Sequence, residues 1–138
     1  MNPITPDSLA AALDDSGIRN RVLIISACHS GSFIPRLATP HTLILTAASA
    51  ERTSFGCANG REWTYFGDAL FNHALKDTRS FSKAFATASE LIKTWESEQN
   101  IAASDPQIFV GSSISRLLED MANEPLVQGD AMKSIYIR

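Results

Sequence analysis

The stretch Arg21 to Ala27, RVLIISA, is a continuous apolar run rich in β-branched residues. A strand with one wet face alternates apolar and polar residues. An uninterrupted run suits a strand covered on both faces, as in a parallel sheet layered between helices. A second such run, Thr42 to Ala47 (TLILTA), follows it, and Gln107 to Val110 is a third, shorter one. Helical patterns lie between and around them. Thr5 is placed to cap a first helix with Pro6 at its opening position, Leu9, Ala12 and Leu13 on one face, and Gly17 as a left-handed stop. Phe33 to Leu37 is a short segment that Pro35 keeps from being a long regular helix. Glu51 to Thr64, polar and carrying Gly56 and Gly60, reads as a loop, and a helix from about Tyr65 to Lys76 follows it. The clearest helix is capped by Ser80, with Phe81, Ala84, Phe85, Ala88, Leu91, Ile92 and Trp95 repeating on one buried face. Ser112 or Ser113 caps a last helix through about Met121, and Ser134 to Arg138 reads as a short edge strand.

Strands alternating with helices predict an α/β layer fold with a mainly parallel sheet. At 138 residues, 44% hydrophobic and 20% charged, the chain reads as one soluble globular domain, long enough to bury roughly two-thirds of its unfolded surface. Three strands make a small sheet. The run Arg21 to Ala27 is too apolar for an exposed edge, so further strands are expected upstream in a longer parent, or another copy pairs with it and forms a homo-oligomer.

The charge pattern narrows the partners. A net charge of -3 and scattered Lys and Arg give no basic stripe for a phosphate backbone, so nucleic acid is not expected. No run approaches the ~20 apolar residues of a bilayer span, and Met1 to Asp15 lacks the pattern of a signal peptide. The compartment stays open, because a leader or anchor can lie upstream. Cys28 and Cys57 stand in such different contexts, one after an apolar run and one in a Gly-rich loop, that no disulfide is expected. No histidine or cysteine lies at metal spacing from Cys57, and no cofactor is expected.

Cys28 follows the first apolar run directly, and in parallel α/β sheets ligand sites lie beyond the carboxyl ends of the strands. The small residues Ser30, Gly31 and Ser32 come next. A helix starting there would offer free backbone N–H groups to a thiolate or a developing oxyanion. The alternative is a buried cysteine packed as a small hydrophobe. A hydrolase elbow is a poor fit, since it needs glycines two residues either side of the nucleophile and Ser26 and Ser30 stand there.

Three segments in order carry a resemblance: SACHSGSF (Ser26 to Phe33), TAASAERTSFGC (Thr46 to Cys57) and EWTYFGDALF (Glu62 to Phe71). Together they resemble the nucleophile strand, the next strand and loop, and the Tyr-x-Gly-Asp segment of the legumain-like cysteine peptidases. The likeness runs from about Pro3 to Ser112 and is nearest to the bacterial members. It implies a caspase-like three-layer fold whose N-terminal strands are missing from this sequence. It also implies an endopeptidase acting on a peptide or protein substrate, with Cys28 as nucleophile.

In that family a His-Gly on the preceding strand supplies the base and an oxyanion donor. No histidine precedes Cys28 here. His29 is adjacent to it, and neighbouring side chains in extended structure point opposite ways. His41 opens the second strand, roughly 20 Å from the far end of a parallel neighbour at ~3.3 Å per residue. His73 is five residues past Asp68, about 140° round an α-helix. The chain is therefore expected to be a fragment or a shortened product with little activity alone, its catalytic histidine lying upstream.

The resemblance assigns the substrate-binding roles to Asp68 and Ser26. Asp68 matches the family's acidic residue in the primary specificity pocket, although a helix N-terminal carboxylate balancing the dipole explains it equally well. Ser26 stands where the family has a second acidic residue. A lone carboxylate then suits Lys or Arg before the scissile bond better than Asn. Trp63, Tyr65 and Phe66 either line a groove or pack in the core, and Glu51 and Arg52 read as loop charges. Two functions stay open at this point: an endopeptidase domain, and an inactive binding or regulatory module of the same fold.

Overall fold

The computed structural model describes residues 3–56 and 62–124. Cys57 and the segment Ser134 to Arg138 fall outside the described residues.

Helix α1 (Pro6–Asp15) opens on a reciprocal cap: the Thr5 hydroxyl accepts from the Ser8 amide while the Ser8 hydroxyl accepts from the Thr5 amide. Gly17 ends the turn after it at φ 70°, a conformation that suits glycine. Strand β1 (Arg21–Ile25) leads through a 3₁₀ turn (Ser30–Phe33) and the single helical turn α2 (Ile34–Leu37) into β2 (Thr42–Thr46). After the loop come α3 (Tyr65–Gly67), a π-helical stretch (Asp68–Ala74) and α4 (Leu75–Asp77), which run on as one helical rod. Helix α5 (Phe81–Glu98), β3 (Gln107–Val110) and α6 (Ser112–Asn123) complete the order. Ser80 caps α5 as expected, its hydroxyl accepting from the Lys83 amide at 3.4 Å. The cap of α6 is Gly111, with no side-chain bond, rather than Ser112 or Ser113.

The sheet order is β1-β2-β3, and β2 is buried along its whole length. Leu43 and Leu45 point into a core built from Tyr65, Phe66, Ala69, Leu70, Ala84, Phe85, Ala88, Ile92 and Ile114. Ile44 points the other way, onto Ala10 of α1 and Leu37 of α2. The same alternation holds in β1, where Ile24 faces the first core and Leu23 and Ile25 the second. Helices thus cover both faces, which makes the three layers of a caspase-like fold and explains why the strands carry no polar face.

One feature departs from the mainly parallel sheet read from the sequence. β1 and β2 are parallel, pairing Arg21 with Thr42 through Ile25 with Thr46, but β3 runs antiparallel to β2, with Ile44 opposite Phe109. The number of crossings between strands is the reason. One helical segment joins β1 to β2 and returns the chain to the same end. Between β2 and β3 the rod from Tyr65 to Asp77 descends and α5 climbs back, so the chain re-enters from the carboxyl end of β2. Ser49 donating to Ser104 O at 3.0 Å marks that re-entry.

β1 is an edge strand. Arg21 N–H bonds to His41 O and Ile25 O accepts from Ala47 N–H, so the alternate backbone groups, at Val22 and Ile24, face away from β2. No strand covers that side among the described residues. Within the same residues no helix is long and apolar enough to cross a membrane.

Candidate active site

Ile25 makes the last ladder bond of β1, and Ser26, Ala27 and Cys28 emerge at the carboxyl end of the sheet. His29 then takes a left-handed conformation (φ 56°, ψ 21°) that turns the chain sharply into the 3₁₀ turn. Cys28 is exposed and forms no disulfide among the described residues. Its thiol donates to Ser54 O at 3.6 Å, with Ser54 Oγ at 3.7 Å. The loop after β2 therefore wraps over the cysteine. It is fastened there by His29 N–H donating to Arg52 O at 2.8 Å, Gly31 N–H to Ala48 O at 2.9 Å, and Ala48 N–H to the buried Ser30 hydroxyl at 3.2 Å.

These bonds correct one expectation. The Ser30 to Ser32 segment does not open a long helix with a row of free donors. It forms four residues of 3₁₀ helix, and the amides of His29, Gly31 and Ser32 are already spent on Arg52 O, Ala48 O and His29 O. The small residues serve close packing instead. A Cβ on Gly31 would lie 2.6 Å from the Ala50 nitrogen and 2.8 Å from the Ser49 carbonyl carbon.

Ser26 lies two residues before Cys28, and its hydroxyl meets the Thr64 hydroxyl at 2.8 Å. Thr64 is the N-cap of α3 and accepts from Gly67 N–H at 3.0 Å. Asp68 follows, half-buried at the start of the π-helical stretch, with a carboxylate oxygen accepting from Asn72 Nδ2 at 2.8 Å. Ser26 and Asp68 are thus joined through Thr64, one helical turn from the carboxylate. Sequence reading missed Thr64 and Ser54. A threonine directly before an aromatic helix start was a legible cap signal, whereas Ser54 is identified only by how the loop folds over Cys28.

None of the three histidine rings bonds to the sulfur. His29 Nδ1 donates to Ala50 O at 3.1 Å. The extended-chain argument does not apply to it, because its backbone is left-handed; the Ala50 carbonyl is what holds the ring. His41 sits at the opposite end of the sheet, as its place before β2 requires. Its Nε2 accepts from Arg19 Nε at 3.2 Å and Nη2 at 3.0 Å, so Nδ1 carries the proton and donates to Asn20 Oδ1 at 3.2 Å. His73 corrects another geometric step. In a π-helix the i→i+5 bonds set residues five apart on successive turns, so Asp68 and His73 share a side far more closely than an α-helix allows. Its exposed ring packs edge-on against Trp95, with centroids 5.8 Å apart.

The aromatic residues divide. Tyr65 and Phe66 are core, Tyr65 packing edge-on to Trp95 with its hydroxyl bonded to Gln99. Trp63 is 45% exposed and leans on Phe71, itself 41% exposed, at 6.1 Å between ring centroids. Arg52 is more than a loop charge, since its Nη1 donates to Ala103 O at 3.0 Å across the gap to the next loop.

The arrangement sets an exposed thiol at the carboxyl end of an α/β sheet, with a carboxylate-bearing helix latched to the same strand end. No curated protein gives a significant match to this sequence. The peptidase C13 family matches residues 1–116, from before α1 into α6, and on that match the chain belongs to the legumain family of cysteine peptidases and carries a cysteine peptidase domain of α/β fold.

Proposed function

We propose that this chain is the nucleophile-bearing part of a cysteine endopeptidase, with Cys28 as the nucleophile and a histidine from upstream sequence as its base. The observation that carries the reading is the exposed Cys28 thiol at the carboxyl end of β1, on a strand end tied through Ser26 and Thr64 to the helix of Asp68. The Cys28 sulfur attacks the scissile carbonyl carbon as a thiolate, and the carbonyl electron pair moves to oxygen. The tetrahedral species collapses with loss of the amine, which takes the proton held by the histidine, and water then hydrolyses the thioester. Asp68 favours Lys or Arg before the scissile bond, because Ser26 in place of a second carboxylate leaves one negative charge to be matched.

A second reading is supported by the histidine contacts. The rings of His29, His41 and His73 are held by Ala50, by Arg19 and Asn20, and by Trp95, which fits a binding or regulatory module without catalysis. Fluorogenic peptides ending in Arg, Lys, Asn or Asp separate these possibilities. The purified chain alone is expected to turn them over at close to the background rate. Ordinary turnover lost on Cys28→Ala would place the base within this chain and end the upstream-histidine reading. In a histidine-containing longer form, cleavage after Arg or Lys supports the endopeptidase; no cleavage there favours the binding module.

A further inference from the structure

Glu96 is 4% exposed on the buried stripe of α5, a position where Ala84, Ala88 and Ile92 before it would lead one to expect another apolar side chain. A carboxylate is costly there unless it makes a strong bond. Its Oε1 accepts from the amide of Ser104 at 2.9 Å, and Ser104 is itself 2% exposed. That bond fixes the turn between α5 and β3, in which Asp105 holds a left-handed backbone at φ 56°.

The same turn grips the loop over Cys28 at two points. Ser104 O accepts from Ser49 N–H at 3.0 Å, and Ala103 O accepts from Arg52 Nη1 at 3.0 Å. Arg52 in turn receives His29 N–H on its own carbonyl, and two residues later Ser54 O receives the Cys28 thiol. Hydrogen bonds linked by short stretches of chain thus run from a buried carboxylate on α5 to the sulfur.

We propose that Arg52 and Glu96 are positioning residues for Cys28, bracing the loop that holds the thiol against the turn before β3. The proposal rests on the assignment of Cys28 as nucleophile, but the brace is measured separately from it. Arg52 is exposed, so its replacement removes the cross-loop bond without opening the core. Loss of that bond lets the loop lift from Cys28, which exposes the His29 amide to solvent and withdraws the Ser54 carbonyl from the sulfur.

The experiment uses the full chain with Cys57→Ser, so that Cys28 is the sole thiol. Arg52→Ala, Arg52→Lys and Arg79→Ala are compared by hydrogen exchange at the His29 amide and by the rate of Cys28 alkylation with iodoacetamide at neutral pH. Arg79 is the control, since it too donates to a backbone carbonyl, Glu124 O at 3.1 Å, but at the other end of the sheet. Arg52→Ala is expected to speed both exchange and alkylation severalfold, Arg52→Lys to restore both, and Arg79→Ala to change neither. If either rate in Arg52→Ala equals that of its parent, or if Lys does not rescue, the positioning role is overturned. Glu96→Gln, which keeps the shape and weakens the acceptor, is expected to move both rates in the same direction as Arg52→Ala and by less; unchanged rates remove Glu96 from the brace. A parent Cys28 that ignores iodoacetamide counts against the nucleophile assignment; the alkylation comparison then drops out, and the exchange rate at the His29 amide alone decides the brace.

Discussion

The Ser26 hydroxyl lies 2.8 Å from the hydroxyl of Thr64, so the chain leaving β1 and the start of the Asp68 helix share one hydrogen bond. Thr64 has a second duty as N-cap, accepting from Gly67 N–H. With that amide as its donor, the Thr64 oxygen can give its own proton to Ser26. Ser26 is thereby a structural latch between the end of β1 and the start of α3.

Thr64→Val, which keeps shape and removes the oxygen, is expected to lose the cap and the latch together. The cost is about 1 kcal/mol for the cap, with a further fraction for the Ser26 bond. Urea denaturation reads this as a lower midpoint at unchanged slope. Thr64→Ser, which keeps the oxygen, should recover most of it.

Gly31→Ala tests the close approach of the 3₁₀ turn to the loop after β2. Its Cβ would sit 2.6 Å from a backbone nitrogen, which no side-chain rotation can relieve. A loss of about 1–3 kcal/mol is expected, the range of an overpacked interior. A midpoint equal to that of the parent would mean that the loop does not press on this turn.

Glu96→Ala leaves the buried amide of Ser104 without its partner, at a cost of about 1–3 kcal/mol, the usual penalty of an orphaned buried donor. Glu96→Gln retains an acceptor and should cost less. Equal stability of Glu96→Ala and the parent would show that the carboxylate bond contributes nothing net.

Much of this was legible in the sequence, and the reasons differ by element. β2 and α5 are plain because burial on one or both faces writes itself into the spacing of Leu43 to Leu45 and of Phe81 to Trp95. The caps Thr5 and Ser80 are local chemistry and were read from neighbours alone. The antiparallel β3 follows from counting two helical passes between β2 and β3, information that was present but lies in topology rather than in the strand itself. The π-helical stretch around Asp68 carries no such mark, and it changes which residues share its side. Glu96 hid because a charged residue in a helix reads as a wet face; only the turn that brings Ser104 against it makes it a buried acceptor. Cys28 was singled out by its strand end, while its contact with Ser54 depends on how a distant loop folds back.

Specificity provides a further test. Asp68→Asn removes the charge but keeps a group able to meet Asn72, so the fold should persist. In a histidine-containing longer form, kcat/KM for a peptide with Arg before the scissile bond is expected to fall by about 10- to 100-fold relative to one with Asn there, the scale of one charge-assisted hydrogen bond. An unchanged ratio would assign Asp68 to the helix dipole and to Asn72 alone.

The nucleophile itself is tested most directly by a peptidyl acyloxymethyl ketone bearing Lys at the terminal position, incubated with the chain at neutral pH and mapped by mass spectrometry. Attack by the thiolate forms a thioether and expels the carboxylate, so a histidine is not needed to release a leaving group. The account predicts an adduct on Cys28 in preference to Cys57, absent in Cys28→Ala and formed more slowly in Asp68→Asn. An adduct confined to Cys57, or none on Cys28, would contradict it.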